Sequence, residues 1–183
     1  MKSNTLNQWL KKMPKSIRSV VIVLLIICAA IFGEDIFELL PSNSATIQTE
    51  KVTLQRVVDG DTIIVTNENQ EELRVRLIGI DTPEIVHPDE NKNTAEGQQA
   101  SEYTKKQLTK GQTLYLEFDK EPQDQYGRTL AYVWLDNRVD PTNIEDIAKN
   151  MYNAKLIVDG YAVAKKFPPN TKYADIFEEL QNQ

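Results

Sequence analysis

The sequence contains one cysteine and one histidine, and acidic residues outnumber basic ones. Cys28 alone cannot form an intramolecular disulfide, and one cysteine with one histidine cannot build a multi-cysteine zinc or iron–sulfur site. A histidine-based catalytic triad is also disfavoured, because His87 lies in a polar stretch. Any metal site must therefore use oxygen ligands from Asp and Glu, which suit Ca²⁺, Mg²⁺ or Mn²⁺.

Basic charge is scarce outside the N-terminus of the 183-residue chain. Residues 1–33 contain five basic and no acidic side chains, whereas the other 150 residues contain 16 basic and 27 acidic ones, a net charge of −11. Non-specific nucleic-acid binding depends on many Lys and Arg contacts to phosphates. The body is therefore a poor general polyanion clamp, although a small basic pocket is compatible with its acidic surface.

An unbroken apolar run of 13 residues, VVIVLLIICAAIF at 20–32, follows the basic N-terminal stretch. Its length is short for a spanning helix and typical of a signal-peptide core, but the stem of Arg18 can lengthen it. No clear cleavage site follows, so an uncleaved membrane anchor is favoured over a cleaved signal, and a buried core helix is the remaining alternative. Because the basic flank stays inside, both favoured interpretations place the body outside the cytoplasm.

The rest of the chain is predicted to be a linker, 34–50, and one folded domain, 51–183, after the N-terminal segment 1–33. Predicted strands are 52–58, 62–66, 73–80, 113–118 and 128–135. Predicted helices are 95–108, 143–149, 151–158 and 172–180, with Thr142 and Glu145 as a capping box. This order predicts an α+β fold, a five-stranded OB-fold β-barrel capped by about three helices, although other α+β folds share it.

Two acidic turns follow neighbouring strands of the predicted sheet. The sequence DGDT at 59–62 joins the first two strands, and DTPE at 81–84 ends the third. Because these turns lie at neighbouring ends of one meander, Asp61, Asp81 and the Thr82 carbonyl can converge on a hard cation, with Glu84 in reach of a metal-bound water. Taken singly, each motif is better explained as ordinary turn chemistry.

Two arginines accompany these acids. Arg76 lies five residues before Asp81 in the third strand, and Arg128 opens the fifth strand. A guanidinium binds phosphate through two parallel hydrogen bonds and is always charged. Each arginine alone is more simply a surface ion-pair partner. Together with the carboxylates they predict phosphoryl transfer, in which cation and arginines neutralise the phosphate while a base positions water.

Three stretches, VVDGDT, RLIGIDTPE and DQYGRTLAYV, resemble the signature sequences of the staphylococcal (micrococcal, thermonuclease) nuclease family. The stretches EGQQASEYTKK and GYA…PPN are also similar, so the resemblance spans about 52–180. It implies an OB-fold endonuclease, a hydrolase that uses one Ca²⁺ ion to cleave phosphodiester bonds of DNA and RNA and leaves 3′-phosphate ends. We expect single strands to be preferred. The alternative is a non-catalytic OB-fold module that binds nucleic acid.

The resemblance also implies a role for each matched position. The implied calcium ligands are Asp61, Asp81 and Thr82, with Asp59 as a supporting acid nearby. The implied catalytic residues are Glu84, which activates or orients water, and the phosphate-binding Arg76 and Arg128. Tyr126 matches a tyrosine of the nucleotide pocket.

The sequence departs from the family pattern at several positions. Gln125 stands where a lysine often precedes Tyr-Gly-Arg, and residues 139–150 look like an insertion. Lys165 and Phe167 stand where relatives often have tyrosines. Lys165 is expected to contact phosphate, and Phe167 either stacks on a base or simply packs. Expected partners are DNA and RNA and, through the N-terminal segment, a membrane; no protein partner is implied, so a monomer is expected.

Overall fold

The structure is a computed structural model that describes residues 47–83 and 94–183. Five strands form a closed barrel: β1 (Glu50–Val57), β2 (Thr62–Asn67), β3 (Glu72–Leu77), β5 (Thr113–Glu117) and β6 (Thr129–Trp134). A separate two-stranded sheet pairs β4 (Ile80–Asp81) with β7 (Val163–Ala164). The helices in this part of the chain are α1 (Ala95–Gln107), α2 (Ile144–Asn150), α3 (Tyr152–Val158) and α4 (Ala174–Gln181).

The barrel has the strand order β1-β2-β3-β6-β5 and closes between β5 and β1. All neighbours are antiparallel except β3 and β6, which run parallel. Alternate strand residues such as Val52, Leu54, Val75 and Leu77 are buried, as period-2 patterning requires. The predicted α+β fold with a five-stranded OB-type barrel is confirmed, with four helices in the described residues where about three were expected.

The third predicted strand, 73–80, is interrupted in the structure. β3 ends at Leu77 and β4 begins at Ile80, because Gly79 adopts a positive φ of 81°. A Cβ at this position would lie 2.5 Å from Cε2 of Phe177 in α4, so only glycine fits. The prediction of one continuous strand was therefore wrong. The break turns Asp81 out of the barrel and into the small sheet, where it pairs with Val163.

Replacing Gly79 by alanine is expected to lower the free energy of unfolding by at least about 2 kcal/mol, because backbone strain adds to overlap with the Phe177 ring. Gly111 is the matched control, since its φ is also positive but no atom lies within 4 Å of the position that a Cβ would take. Gly111→Ala should therefore lose only the backbone contribution, about 1 kcal/mol. Denaturant unfolding measures both variants. Equal losses would show that contact with Phe177 does not restrict Gly79.

Two helix starts also differ from the sequence-based expectation. Asn143 caps α2, with its side-chain oxygen accepting from the backbone N–H groups of Glu145 and Asp146, at 2.8 and 3.1 Å. The predicted Thr142 cap was wrong, because the Thr142 hydroxyl donates to Asp140 at 2.6 Å instead. α4 begins at Ala174 and not at residue 172. Residues 172 and 173 therefore precede the helix, and the backbone N–H of Lys172 donates a hydrogen bond to Asp119 at 2.9 Å.

Buried polar groups connect segments outside the barrel strands to the barrel. The Glu117 carboxylate at the end of β5 is buried and accepts hydrogen bonds from Trp134 Nε1 at 2.8 Å, from the Tyr173 hydroxyl at 3.0 Å and from Lys172. The segment predicted to be an insertion, 139–150, forms α2 and buries Ile147. The hydrogen bonds to Glu117 join the segment before α4 to the barrel, and Ile147 packs α2 into the hydrophobic core.

Candidate active site

The two predicted metal-binding carboxylates meet on one guanidinium. Arg76 leaves the end of β3, and its Nη1 lies 2.7 Å from Oδ2 of Asp61 in the β1–β2 turn. Its Nη2 lies 3.1 Å from Oδ1 of Asp81 in β4. Thr62, next to Asp61, is paired with Arg76 in the β2–β3 ladder, so the strand register sets this approach. The predicted convergence of the two acidic turns is therefore observed.

Asp61 is a buried carboxylate whose oxygens are held by hydroxyl and backbone donors. Its Oδ2 accepts from the backbone N–H and the hydroxyl of Thr82, at 3.1 and 2.8 Å, and its Oδ1 accepts from the Thr62 hydroxyl at 3.2 Å. Burial raises the pKa of Asp61, and the Arg76 guanidinium opposes that rise. Thr82 therefore links the two acidic turns. It lies beside Asp61 and Asp81, the two carboxylates with which the sequence analysis grouped it.

Asp59 supports the first acidic turn. Its Oδ1 accepts from the backbone N–H of Asp61 at 3.2 Å, which is an Asx-type contact within the turn. Its negative charge adds to the rise in the Asp61 pKa. Asp59 thus lies next to Asp61 in the same turn, as the sequence predicts for a supporting acid. Its carboxylate makes this end of the site more negative.

Lys165 and Phe167 lie beside Asp81 and Arg76. The Nζ of Lys165 is 2.6 Å from Oδ2 of Asp81, and the lysine side chain is about half exposed. The ring of Phe167 lies 5.3 Å from Lys165 Nζ and 5.9 Å from the guanidinium carbon of Arg76, within range of cation–π attraction. In the structure Lys165 contacts a carboxylate, and its expected contact with phosphate remains a prediction.

The second arginine is held by a tight loop between β5 and β6. The Nε of Arg128 lies 2.7 Å from Oδ2 of Asp124, and Oδ1 of Asp124 accepts from the backbone N–H groups of Arg128 and Tyr126, each at 2.9 Å. The Tyr126 side chain is 76% exposed, with the Arg128 guanidinium 5.6 Å from its ring centroid. One carboxylate therefore orients both the arginine and the tyrosine.

A cavity of about 240 Å³ brings these two groups of residues together, and we call it the arginine cavity. Five of the site residues predicted from sequence line it: Arg76, Asp81, Tyr126, Arg128 and Phe167. Leu77, Ile78 and Leu130 supply apolar wall. A larger cavity of about 660 Å³, between residues 47–50 and Glu117, contains neither arginine, so size alone does not mark the site.

Some predictions fall outside the arginine cavity or outside the described residues. Asp61 and Thr82 contact the site through Arg76 and Asp81 but do not line the cavity. Glu84 and His87 lie outside the described residues. Among the described residues, no three Asp, Glu, His or Cys side chains converge closely enough to bind a metal ion by themselves. A cation at Asp61 and Asp81 would therefore need further oxygen ligands.

Sequence reasoning missed Asp124, which positions Arg128 and Tyr126. The signal was present, because an aspartate four residues before an arginine across a Tyr-Gly turn is well placed to accept from the turn's backbone N–H groups. Burial raises the pKa of Asp124, but hydrogen bonds from the backbone and side chain of Arg128 outweigh it and hold the pKa below its usual value. Asp124 is therefore ionised at neutral pH.

The Asp124→Asn variant is expected to be less stable than the wild type at pH 7 by about 1–2 kcal/mol, because charge-assisted hydrogen bonds to Arg128 are lost. Since the folded-state pKa is lowered, this stabilisation is present above the unfolded-state pKa of about 4 and is lost as pH falls through the folded-state pKa. Denaturant unfolding of both proteins from pH 7 to pH 3 measures the difference. A difference that stays constant over this range would refute the assignment of the charge to Asp124.

Comparison with known proteins gives consistent matches. Residues 74–183 match the family model described as "Staphylococcal nuclease homologue". The chain is 45% identical over 141 residues to the thermonuclease of Staphylococcus intermedius, covering 77% of this chain and 75% of that protein. It is 44% identical over 141 residues to the thermonuclease of Staphylococcus hyicus, covering 77% and 73%. It is also 38% identical over 128 residues to endonuclease YncB of Bacillus subtilis, covering 69% and 54%.

Proposed function

Because the chain belongs to the staphylococcal nuclease family and is a nuclease hydrolase, we propose that it uses one Ca²⁺ ion to hydrolyse DNA and RNA. We further propose that it prefers single strands and leaves 3′-phosphate ends. The observation that carries the proposal is the Arg76 guanidinium, which contacts Asp61 and Asp81 and shares one cavity with Arg128. This arrangement offers two guanidinium groups to a phosphodiester beside two carboxylates that favour a cation.

The residues present fit a calcium ion by their chemistry. The carboxylates of Asp61 and Asp81 contact Arg76 and Lys165, and Asp59 adds a third carboxylate next to Asp61, so this end of the site has three acidic and two basic side chains. Carboxylates and a backbone carbonyl are hard oxygen donors, which Ca²⁺ prefers. Asp61, Asp81 and the carbonyl of Thr82 would hold the ion, which when bound would polarise the phosphate.

The protein side chains then have separate tasks. Arg76 and Arg128 bind the phosphate and neutralise charge that develops on its oxygens. Glu84 is proposed to orient or deprotonate the attacking water. Arg128 is also proposed to assist the leaving oxygen, a task for which Asp124 fixes its planar guanidinium. Two carboxylates and two backbone carbonyls contact the Nη atoms of Arg76, so its guanidinium has a set position and must exchange some of these contacts to bind phosphate.

The surroundings of the arginine cavity support a single-stranded substrate. Tyr126 is exposed beside Arg128, and Phe167 lies against Arg76, so both rings are available to stack on an unpaired base. The net charge of −11 on residues 34–183 repels a long polyanion elsewhere. We therefore propose that binding depends on few phosphate contacts close to the cavity.

The proposed location depends on the N-terminal segment. No helix among the described residues is long and apolar enough to cross a membrane, and the run 20–32 lies outside them. We propose that this run anchors a monomeric body outside the cytoplasm, or is removed as a signal during secretion. Protease added to intact cells should digest an anchored body, whereas full-length protein protected in the cytoplasm would refute both forms of the proposal.

The test of activity is digestion of end-labelled single-stranded DNA, single-stranded RNA and duplex DNA by the purified protein. We expect cleavage of both single strands in Ca²⁺, slower cleavage of the duplex, and fragments whose 3′ ends carry phosphate. Mg²⁺ should support less turnover, because it demands stricter octahedral geometry and holds its waters more tightly. Binding of strands without cleavage in any divalent cation would instead identify a non-catalytic binding module.

A further inference from the structure

A second cavity, of about 320 Å³, adjoins the arginine cavity at Asp81. Its described lining consists of residues 81–83 and 160–163, and we call it the tyrosine cavity after Tyr161. Asp81 is the described residue common to the two linings. A ligand held at Asp81 in the arginine cavity can therefore extend directly into the tyrosine cavity.

The aromatic ring of the tyrosine cavity is fixed by its neighbours. The backbone N–H groups of Tyr161 and Ala162 both donate to the carbonyl of Leu156, at 2.8 and 3.0 Å, which sets the turn after α3. The ring of Tyr161 stacks on that of Tyr103 with centroids 4.0 Å apart and an angle of 21°. The Tyr103 hydroxyl in turn donates to Asp159. The ring thus has a set position before a ligand arrives, which lowers the entropy cost of binding.

The lining of the tyrosine cavity favours a base and not a phosphate. No Lys or Arg occurs among its described lining residues, and Asp81 is paired with Arg76 and Lys165, so this lining offers no unpaired positive charge to an anion. Val163 is 56% exposed in β7, directly across the ladder from Asp81, and adds apolar surface to the lining of the cavity. A flat, uncharged, partly apolar group suits this lining, and a nucleobase is such a group.

We propose that the tyrosine cavity binds the base of the nucleotide that adjoins the scissile phosphate, with Tyr161 as the stacking platform. This inference rests on the nuclease function proposed above. The scissile phosphate lies at Asp81 and the arginines, one neighbouring nucleoside occupies the arginine cavity, and the other occupies the tyrosine cavity. Because every base has a face that can stack, this subsite adds affinity for single strands with little sequence preference.

The test compares two ligands by calorimetric titration in Ca²⁺. A nucleoside 3′,5′-bisphosphate occupies the arginine cavity alone, whereas a trinucleotide with hydrolysis-resistant phosphorothioate linkages spans both cavities. Tyr161→Leu removes the ring but keeps apolar volume, and it should weaken trinucleotide binding about 5- to 100-fold while bisphosphate binding stays unchanged. Tyr161→Phe keeps the ring and should bind both ligands like the wild type.

Tyr126→Leu is the matched control. Because Tyr126 lines the arginine cavity, this variant should bind both ligands more weakly than the wild type. Thermal unfolding checks that each variant folds. Unchanged trinucleotide binding by Tyr161→Leu, or an equal loss for both ligands, would overturn the proposed subsite. The binding comparison needs no hydrolysis, so a wild type that binds but cleaves nothing would refute the nuclease proposal separately.

Discussion

Replacing Glu84 by glutamine is expected to slow hydrolysis of single-stranded DNA by about 10²–10⁴-fold, the usual cost of losing a general base. Glutamine keeps the shape of the side chain but cannot accept a proton from water. Glu84 follows Asp81, the last residue of β4, by three positions in the sequence, and the family resemblance implies that it activates or orients the attacking water. The loss should be in kcat, and the affinity for nucleotide should be largely retained.

Glu96→Gln is the control for this change. Glu96 lies in the first turn of α1 and is exposed, so its substitution removes the same charge outside the arginine cavity. We expect this control to hydrolyse single strands at the wild-type rate. Steady-state kinetics on a short labelled strand measure all three proteins. If Glu84→Gln retained wild-type kcat, water activation would have to be assigned to another group.

Arg128→Lys is expected to lower kcat by about 10²–10³-fold, the usual cost of removing one donor that stabilises charge in the transition state. Lysine keeps the positive charge but lacks the planar fork that binds two phosphate oxygens at once. It also cannot reproduce the contact from Nε to Asp124, so the ammonium group is not fixed in direction. Because charge is preserved, binding of substrate should fall much less than kcat.

Arg138→Lys is the matched control, since the Arg138 side chain is 80% exposed and its guanidinium makes one long contact with Asp136, at 3.5 Å. An exposed ion pair of this kind contributes little to stability, and the residue does not line the arginine cavity. The control should retain wild-type kcat and wild-type thermal stability. A small effect of Arg128→Lys, equal to that of Arg138→Lys, would mean that Arg128 acts only as a point charge.

The approach of Asp61 to the β3 strand that contains Arg76 could be predicted from sequence because it depends on local hairpin geometry. Asp61 directly precedes β2 and Arg76 lies in β3, and the apolar alternation of these neighbouring strands sets their register. The five-residue interval to Asp81 then places the second carboxylate on the same guanidinium. Motif spacing within one meander is therefore informative about the core of the site.

Contacts between distant segments could not be predicted in the same way. The pairing of Lys165 with Asp81 requires β7 to lie against β4, and Phe177 in α4 leaves no room for a side chain at Gly79. Neither of these long-range contacts produces a recognisable pattern in the local sequence. The cap of α2 was also ambiguous in sequence, because Thr142 and Asn143 are both good capping residues, and Asp140 decides between them by accepting from the Thr142 hydroxyl.

The most direct test of the proposed site is the Ca²⁺ dependence of single-strand cleavage by the wild type and by Asp81→Asn, measured side by side from chelator to saturating Ca²⁺. We expect the wild type to cleave only when Ca²⁺ is present. Asp81→Asn keeps the side-chain shape and should need much more Ca²⁺ and reach a lower maximal rate, because a neutral amide is a weaker ligand. Cleavage by the wild type in chelator, or identical Ca²⁺ curves for the two proteins, would contradict the proposed calcium site.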